Sequence, residues 1–138
     1  MAMWLLKTEP DEFSFDDLVK ARRAVWDGVA NATALKHIRT MQKEDQAIIY
    51  HTGKEKAAVG IARIVTDPYP DPRDSDPRIV VFDLVPVRKF DHPVTLARIK
   101  SDPAFADWEL VRIPRLSVMP VPLALWKKIE KLSENDHA

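Results

Sequence analysis

The chain has 138 residues, 46% of them hydrophobic, which suffices for one domain with a core of its own and no cross-links. Its 21 basic and 21 acidic residues cancel, unlike the basic excess of chains that coat nucleic acid nonspecifically, yet one face can still hold a few phosphates. Cysteine is absent, which excludes disulfides, thiolate metal sites and thiol nucleophiles and fits a reducing, cytoplasmic setting.

The opening Met-Ala-Met-Trp-Leu-Leu-Lys run is too short for a signal peptide or a membrane span, so a soluble protein away from membranes is expected. Residues 2–7 are bulky and apolar and predict a buried strand, stopped at Glu9-Pro10-Asp11 because the residue before proline is pushed out of the helical region. Ser14 predicts a helix N-cap with Asp17 as its capping-box acid and Phe13 set to staple onto Leu18, for a helix over 15–22. Trp26-Asp27-Gly28 is a turn signal. Asn31 is a cap candidate for a second helix whose Leu35, Ile38 and Met41 make one apolar stripe.

Two strands follow over 46–52 and 57–66, joined at Thr52-Gly53-Lys54 in a hairpin. The Pro/Asp-rich stretch 67–78 predicts an exposed, stiff loop without ladder hydrogen bonds. A strand is expected over 79–87, apolar on both faces apart from Asp83, then short helices over 94–100 and 103–108. A short strand over 117–121 and a closing helix over 123–132 complete the pattern, with residues 133–138 as a fraying polar tail. Strands and short helices mix without β-α-β alternation. This predicts an α+β domain spanning 1–138, its sheet curling toward a barrel.

Several chemistries find no support. The three glycines, Gly28, Gly53 and Gly60, form no phosphate-binding loop, so no nucleotide cofactor is expected. His37, His51, His92 and His137 lack metal-ligand spacing, so no metal is expected, and no nucleophile elbow is present. The reading is a non-enzyme. The residues that stand out are an indole in a turn at Trp26, a cation and hydroxyl ending the first strand at Lys7-Thr8, the amide of Asn31, and the polar tips of Tyr50-His51-Thr52 at a strand end. Each has a structural explanation of its own. Together they suit a planar polar ligand such as a base.

The same residues carry a resemblance. Trp4-Leu5-Leu6-Lys7-Thr8-Glu9-Pro10 is similar to W-L-L-K-S-E-P, Trp26-Asp27-Gly28-Val29 with Asn31 to W-D-G-V-R-N, and Tyr50-His51-Thr52 to Y-H-S. Val59-Gly60-Ile61-Ala62, Tyr69-Pro70-Asp71-Pro72 and Arg115-Leu116-Ser117-Val118 with Pro120-Val121 continue the series in order through nearly the whole chain. The chain thus resembles the EVE domain family, which is related in fold to PUA domains and to the YTH readers of N6-methyladenine. That resemblance implies a PUA-like, mostly antiparallel curled sheet (a pseudo-barrel) flanked by short helices. It also implies a cleft for a modified base in DNA or RNA. The YTH cage positions, a Lys-Ser pair and a tryptophan wall, correspond to Lys7-Thr8 and Trp26. Ala30 and Ala32 depart from the family's Arg and aromatic.

The expected binding set is therefore Lys7, Thr8, Trp26, Asp27, Gly28, Val29, Asn31, Tyr50, His51, Thr52, Arg115, Leu116 and Ser117. Asn31, Thr8, His51 and Ser117 are candidates for the base edge, and Lys7 and Arg115 for a phosphate or carbonyl oxygen. The partner expected is nucleic acid carrying a modified base, bound by a monomer with at most weak self-association. Three other readings stay open: a sensor of free nucleosides or other heteroaromatics, an enzyme using Glu9, Asp27 or His51 as acid or base, and a protein-interaction module with a filled cleft.

Overall fold

The structure is a computed structural model that describes residues 2–134. The bulky first run forms strand β1 (Met3–Thr8), and helix α1 (Phe15–Ala21) follows. The Ser14–Asp17 capping box closes as the sequence predicts: the Ser14 hydroxyl accepts from the Asp17 N–H, and the Ser14 N–H donates to the Asp17 carboxylate. The helix ends at Arg22, whose left-handed φ of 67° turns the chain back. Trp26, expected in a turn, instead closes a short strand, β2 (Ala24–Trp26). Three residues are too few to show alternation, and the pairing that makes them a strand (Trp26 opposite Phe82) comes from far along the chain.

Asn31 caps α2 (Ala32–Arg39) by accepting from the Ala34 N–H. Leu35 and Ile38 are buried on it, while Met41 is buried just beyond its end. The expected hairpin forms from β3 (Gln46–His51) and β4 (Ala57–Ile64). Two expectations beyond it need correcting. The 67–78 stretch holds a two-residue strand, β5 (Tyr69–Pro70), paired with Val80 and Val81, and its Asp71 is buried. The strand expected to stop at Val87 runs on as β6 (Val80–Thr95). Lys89 opposes Gly60 and Val94 opposes Ala58, so residues 90–93 bulge from the ladder and Pro93 is spared a ladder position.

Helix α3 (Leu96–Lys100) therefore starts two residues later than expected. Only a 3₁₀ turn (Pro103–Phe105) forms next, and Trp108 caps a separate short helix, α4 (Glu109–Arg112). After β7 (Val118–Pro120), α5 (Leu123–Glu134) buries Trp126 and Ile129. Ser133, expected to fray, is buried in that helix, and the rest of the predicted tail lies outside the described residues.

The strand order is β2-β6-β4-β3-β1-β7, with β5 alongside β6. Among the described residues only β1–β3 pairs in parallel, so the sheet is mixed, and it curls into a half-barrel with short helices against it, an α+β fold. Register shifts in the β3–β4 and β4–β6 pairings supply the bend. At Gly60 a Cβ would lie 2.6 Å from the Phe15 ring and 2.9 Å from the Arg88 carbonyl oxygen, so only glycine lets α1 seat against the curl. Among the described residues no helix is long and apolar enough to cross a membrane.

Candidate functional site

A cavity of about 630 Å³ opens where the end of β1 meets the segment running from β2 into α2. At roughly 30 Å³ per liquid water it holds about twenty waters, room for a base with its sugar. Lys7, Thr8, Trp26, Asp27, Gly28, Val29, Asn31 and Ser117 line it, so eight of the thirteen sequence-chosen residues converge there from three places in the chain. Pairing explains the convergence. The Lys7 N–H donates to the Ser117 carbonyl at 2.9 Å, which locks the segment before β7 to the end of β1. Gly28, at φ +77° with nothing within 4 Å of where a Cβ would stand, carries the chain from the indole to the cap of α2.

Trp26 belongs to both core and cavity. It is 7% exposed. For a side chain on the order of 200 Å², that leaves under about 20 Å² exposed, so at most a strip of indole, not a full face, meets the opening. Phe13, half-buried and also lining the cavity, packs edge-on against it with ring centroids 6.3 Å apart. The other three tryptophans are core. The Trp4 indole N–H donates to buried Asp45 and that of Trp108 to the Pro120 carbonyl, so both ring nitrogens are satisfied inside.

The polar groups divide by how much capacity each has left. Lys7 Nζ donates to the Pro114 carbonyl at 2.8 Å and lies 5.7 Å from the Tyr50 ring centroid. Partial burial lowers its pKa from the ordinary lysine value. Thr8 Oγ1 donates to the Phe13 carbonyl, which leaves its lone pairs as acceptors. Asn31 uses its side-chain oxygen on Ala34 and keeps its NH₂ donors. The Asp27 carboxylate pairs with Arg73, which reaches over from the proline-rich loop.

The other five chosen residues do not line the cavity. Tyr50 is buried beneath Lys7. The His51 Nε2 accepts the Phe15 N–H at 3.0 Å, and Nδ1 lies 2.7 Å from Glu55, so the proton belongs on Nδ1 and neither nitrogen is left to meet a base. The Thr52 N–H donates to the Thr8 carbonyl, and its single hydroxyl proton is shared between that carbonyl and the Glu9 carboxylate. Leu116 is buried in the core, and Arg115 is exposed beside the Pro114 carbonyl that Lys7 grips.

Glu12, Phe13, Ala24 and Val25, which sequence reasoning did not place in the site, also line the cavity, as do Glu9, weighed only as an acid or base, and Ala30, noted only as a departure from the family's Arg, with Arg73 at the rim. The one available signal was adjacency: each of the six lies within five residues of a residue already chosen. Arg73 had none, because its contact depends on how the 67–78 loop folds back. Glu9, Asp27 and His51, the acid–base candidates, are each engaged with a separate partner: Thr52, Arg73, and the Phe15–Glu55 pair. Among the described residues no three His, Cys, Asp or Glu side chains gather where a metal could bind.

Comparison with known proteins gives concordant matches. A family model described as the EVE domain matches residues 2–132. Mouse thymocyte nuclear protein 1 is 31% identical, over 71% of this chain and 55% of its own length. The chain spans about half the length of the curated relatives it matches. Among solved structures, Rpa0253 from Rhodopseudomonas palustris superposes with a TM-score of 0.92 at 38% identity, covering 100% of this chain and 97% of its own. The human THYN1 protein in complex with 5-methylcytosine containing DNA superposes with a TM-score of 0.89 at 27% identity, covering 99% of this chain and 100% of its own.

Proposed function

The chain belongs to the EVE domain family, and from that premise we propose that it is a non-catalytic module that binds DNA carrying a modified base and takes that base into the cavity beside Trp26. The observation that carries the reading is the cavity itself: an opening with room for a base and its sugar, edged by an indole strip, an amide, two hydroxyls and one ammonium. The relative solved with DNA supports both polymer and modification. The separate engagement of Glu9, Asp27 and His51 supports binding over catalysis, since no pair of them is placed to pass a proton.

The energetics assign the work. Flipping a base out of a duplex costs a few kcal/mol. A full aromatic face returns roughly 1–3 kcal/mol, and the narrow strip of Trp26 returns less. The remainder falls to hydrogen bonds along the base edge, from the NH₂ of Asn31 and the hydroxyls of Thr8 and Ser117, with Lys7 facing a carbonyl oxygen. One buried methyl adds about 0.8 kcal/mol, about fourfold in affinity. A roomy cavity adds little by shape, so modest discrimination is expected.

The test is a titration of two otherwise identical DNA duplexes, one carrying 5-methylcytosine. A preference of about fourfold to tenfold for the modified duplex is expected. It should shrink in Trp26→Leu, which keeps an apolar side chain there without an aromatic strip and whose folding a thermal melt checks. Equal affinity for both duplexes in the parent protein would overturn the base-reading proposal. Tighter binding of the free nucleoside than of either duplex would favour a small-molecule sensor.

A further inference from the structure

The lining carries one basic side chain, Lys7, against three acidic ones, Glu9, Glu12 and Asp27. Such a mouth repels the phosphates that flank any base entering it. Lys7 cannot balance this alone, because a single half-buried ammonium faces three carboxylates. Ala30, on the rim, contributes only a methyl. A cation must therefore come from outside the lining. Among the described residues Arg73 is the one arginine whose side chain bonds a lining side chain, that of Asp27.

Arg73 is also held in position. Its Nε donates to Asp71 Oδ1 at 3.3 Å and its Nη2 to Asp27, while its own backbone N–H donates to the same Asp71 oxygen at 2.9 Å. Asp71 is itself buried at 9% exposure and anchored in the β5–β6 turn, where its N–H donates to the Ile79 carbonyl. A guanidinium has five N–H donors. Two are used, so three remain on a side chain that is 66% exposed. Most of the rotamer freedom such a side chain loses on binding is already lost here, and the fork geometry matches two phosphate oxygens. Arg115, also near the cavity, makes no side-chain hydrogen bond among the described residues and is not preset in this way.

We propose that Arg73, held at the cavity rim by Asp71 and Asp27, grips a DNA phosphate next to the base that enters. This rests on the reading of the cavity as a base site. The phosphate meets the three outward N–H groups. The exposed pair with Asp27 loosens at little cost because water and salt already screen it, and Asp71 keeps the fork aimed.

The experiment is a salt titration of the methylated and unmodified duplexes against the parent protein, Arg73→Gln and Arg73→Lys, with thermal melts of all three. A phosphate contact predicts that Arg73→Gln weakens both duplexes by the same factor, about tenfold, and lowers the slope of log affinity against log salt by about 1. Arg73→Lys should restore the slope and only part of the affinity, since it returns the charge without the fork. Unchanged affinity and slope in Arg73→Gln, with the methyl preference intact, overturns the Arg73 proposal and leaves the base reading standing. Loss of the methyl preference with no change in slope also overturns it, because Arg73 would then only brace Asp27. Equal binding of both duplexes, with a slope that Arg73→Gln lowers, retires the base reading and keeps the phosphate contact. No binding by the parent protein sinks both.

Discussion

The ends of β1 and β3 lie side by side, Lys7 opposite Tyr50 and Thr8 opposite His51, and both end in polar side chains. Their roles diverge. The β1 end opens onto the cavity, whereas the β3 end is covered by α1 and spends its hydrogen bonds holding neighbours in place. His51 anchors the first turn of α1, Tyr50 underlies the Lys7 ammonium, and Thr52 clamps Thr8 and Glu9. A polar strand end is thus a site or a support according to what packs over it. The Y-H-S-like block is expected to matter for folding, and the W-L-L-K-like block for binding.

Four substitutions probe that division, beginning with the largest expected effect. His51→Ala removes the acceptor for the buried Phe15 N–H and leaves a small void, for a loss of about 2–3 kcal/mol in a denaturant melt. Its folded fraction should still bind DNA with parent affinity. Loss of binding without loss of stability would place His51 at the base after all. Lys7→Met should do the reverse, costing about tenfold in affinity, roughly 1.4 kcal/mol, with the melt shifted by less than about 0.5 kcal/mol. The Pro114 carbonyl it abandons is exposed and turns to water.

Thr52→Val deletes the hydroxyl that bridges the Thr8 carbonyl and Glu9, for about 1 kcal/mol of stability and a milder loss of binding as the end of β1 loosens. Tyr50→Phe is expected to change stability by under about 0.5 kcal/mol at neutral pH and to show itself only in alkali. Burial pushes the Tyr50 hydroxyl up to about 12 from an ordinary 10.0. The folded protein then holds that proton longer than the unfolded chain does. Its contribution is complete below pH 10 and is lost as pH rises toward 12. Tyr69, pushed up to about 12 chiefly by its hydrogen bond to the Asp83 carboxylate, adds a loss of the same sign, so Tyr50→Phe flattens the alkaline decline without abolishing it. Lys7 works oppositely. Its lowered pKa means the folded state sheds a proton first, so stability gains as pH approaches 10.5, and Lys7→Met removes that gain. Melting temperature followed from pH 8 to 12 separates the three.

Legibility tracked the range of the determining contacts. The capping box at Ser14, the Asn31 cap and the β3–β4 hairpin are local arrangements, and the residues alone predicted them. Strand β2, the extension of β6 past Val87 and Pro93, and β5 inside a proline-rich stretch all depend on distant partners, and local signals pointed the other way. The cavity shows the same split. Lys7, Trp26, Asn31 and Ser117 were singled out by type and by family pattern, while Phe13 and Glu12 are ordinary helix-flanking residues until α1 folds against the wall.

From the sequence came the class of fold, the family pattern and the chemical character of the site, because these follow from residue type, short spacing and ordered motifs. Tertiary structure alone decided which polar strand end faces the opening, that Trp26 shows only a strip of its ring, and that Arg73 arrives at the rim. Those outcomes depend on which surfaces cover one another, and coverage is set by contacts between segments far apart in the chain.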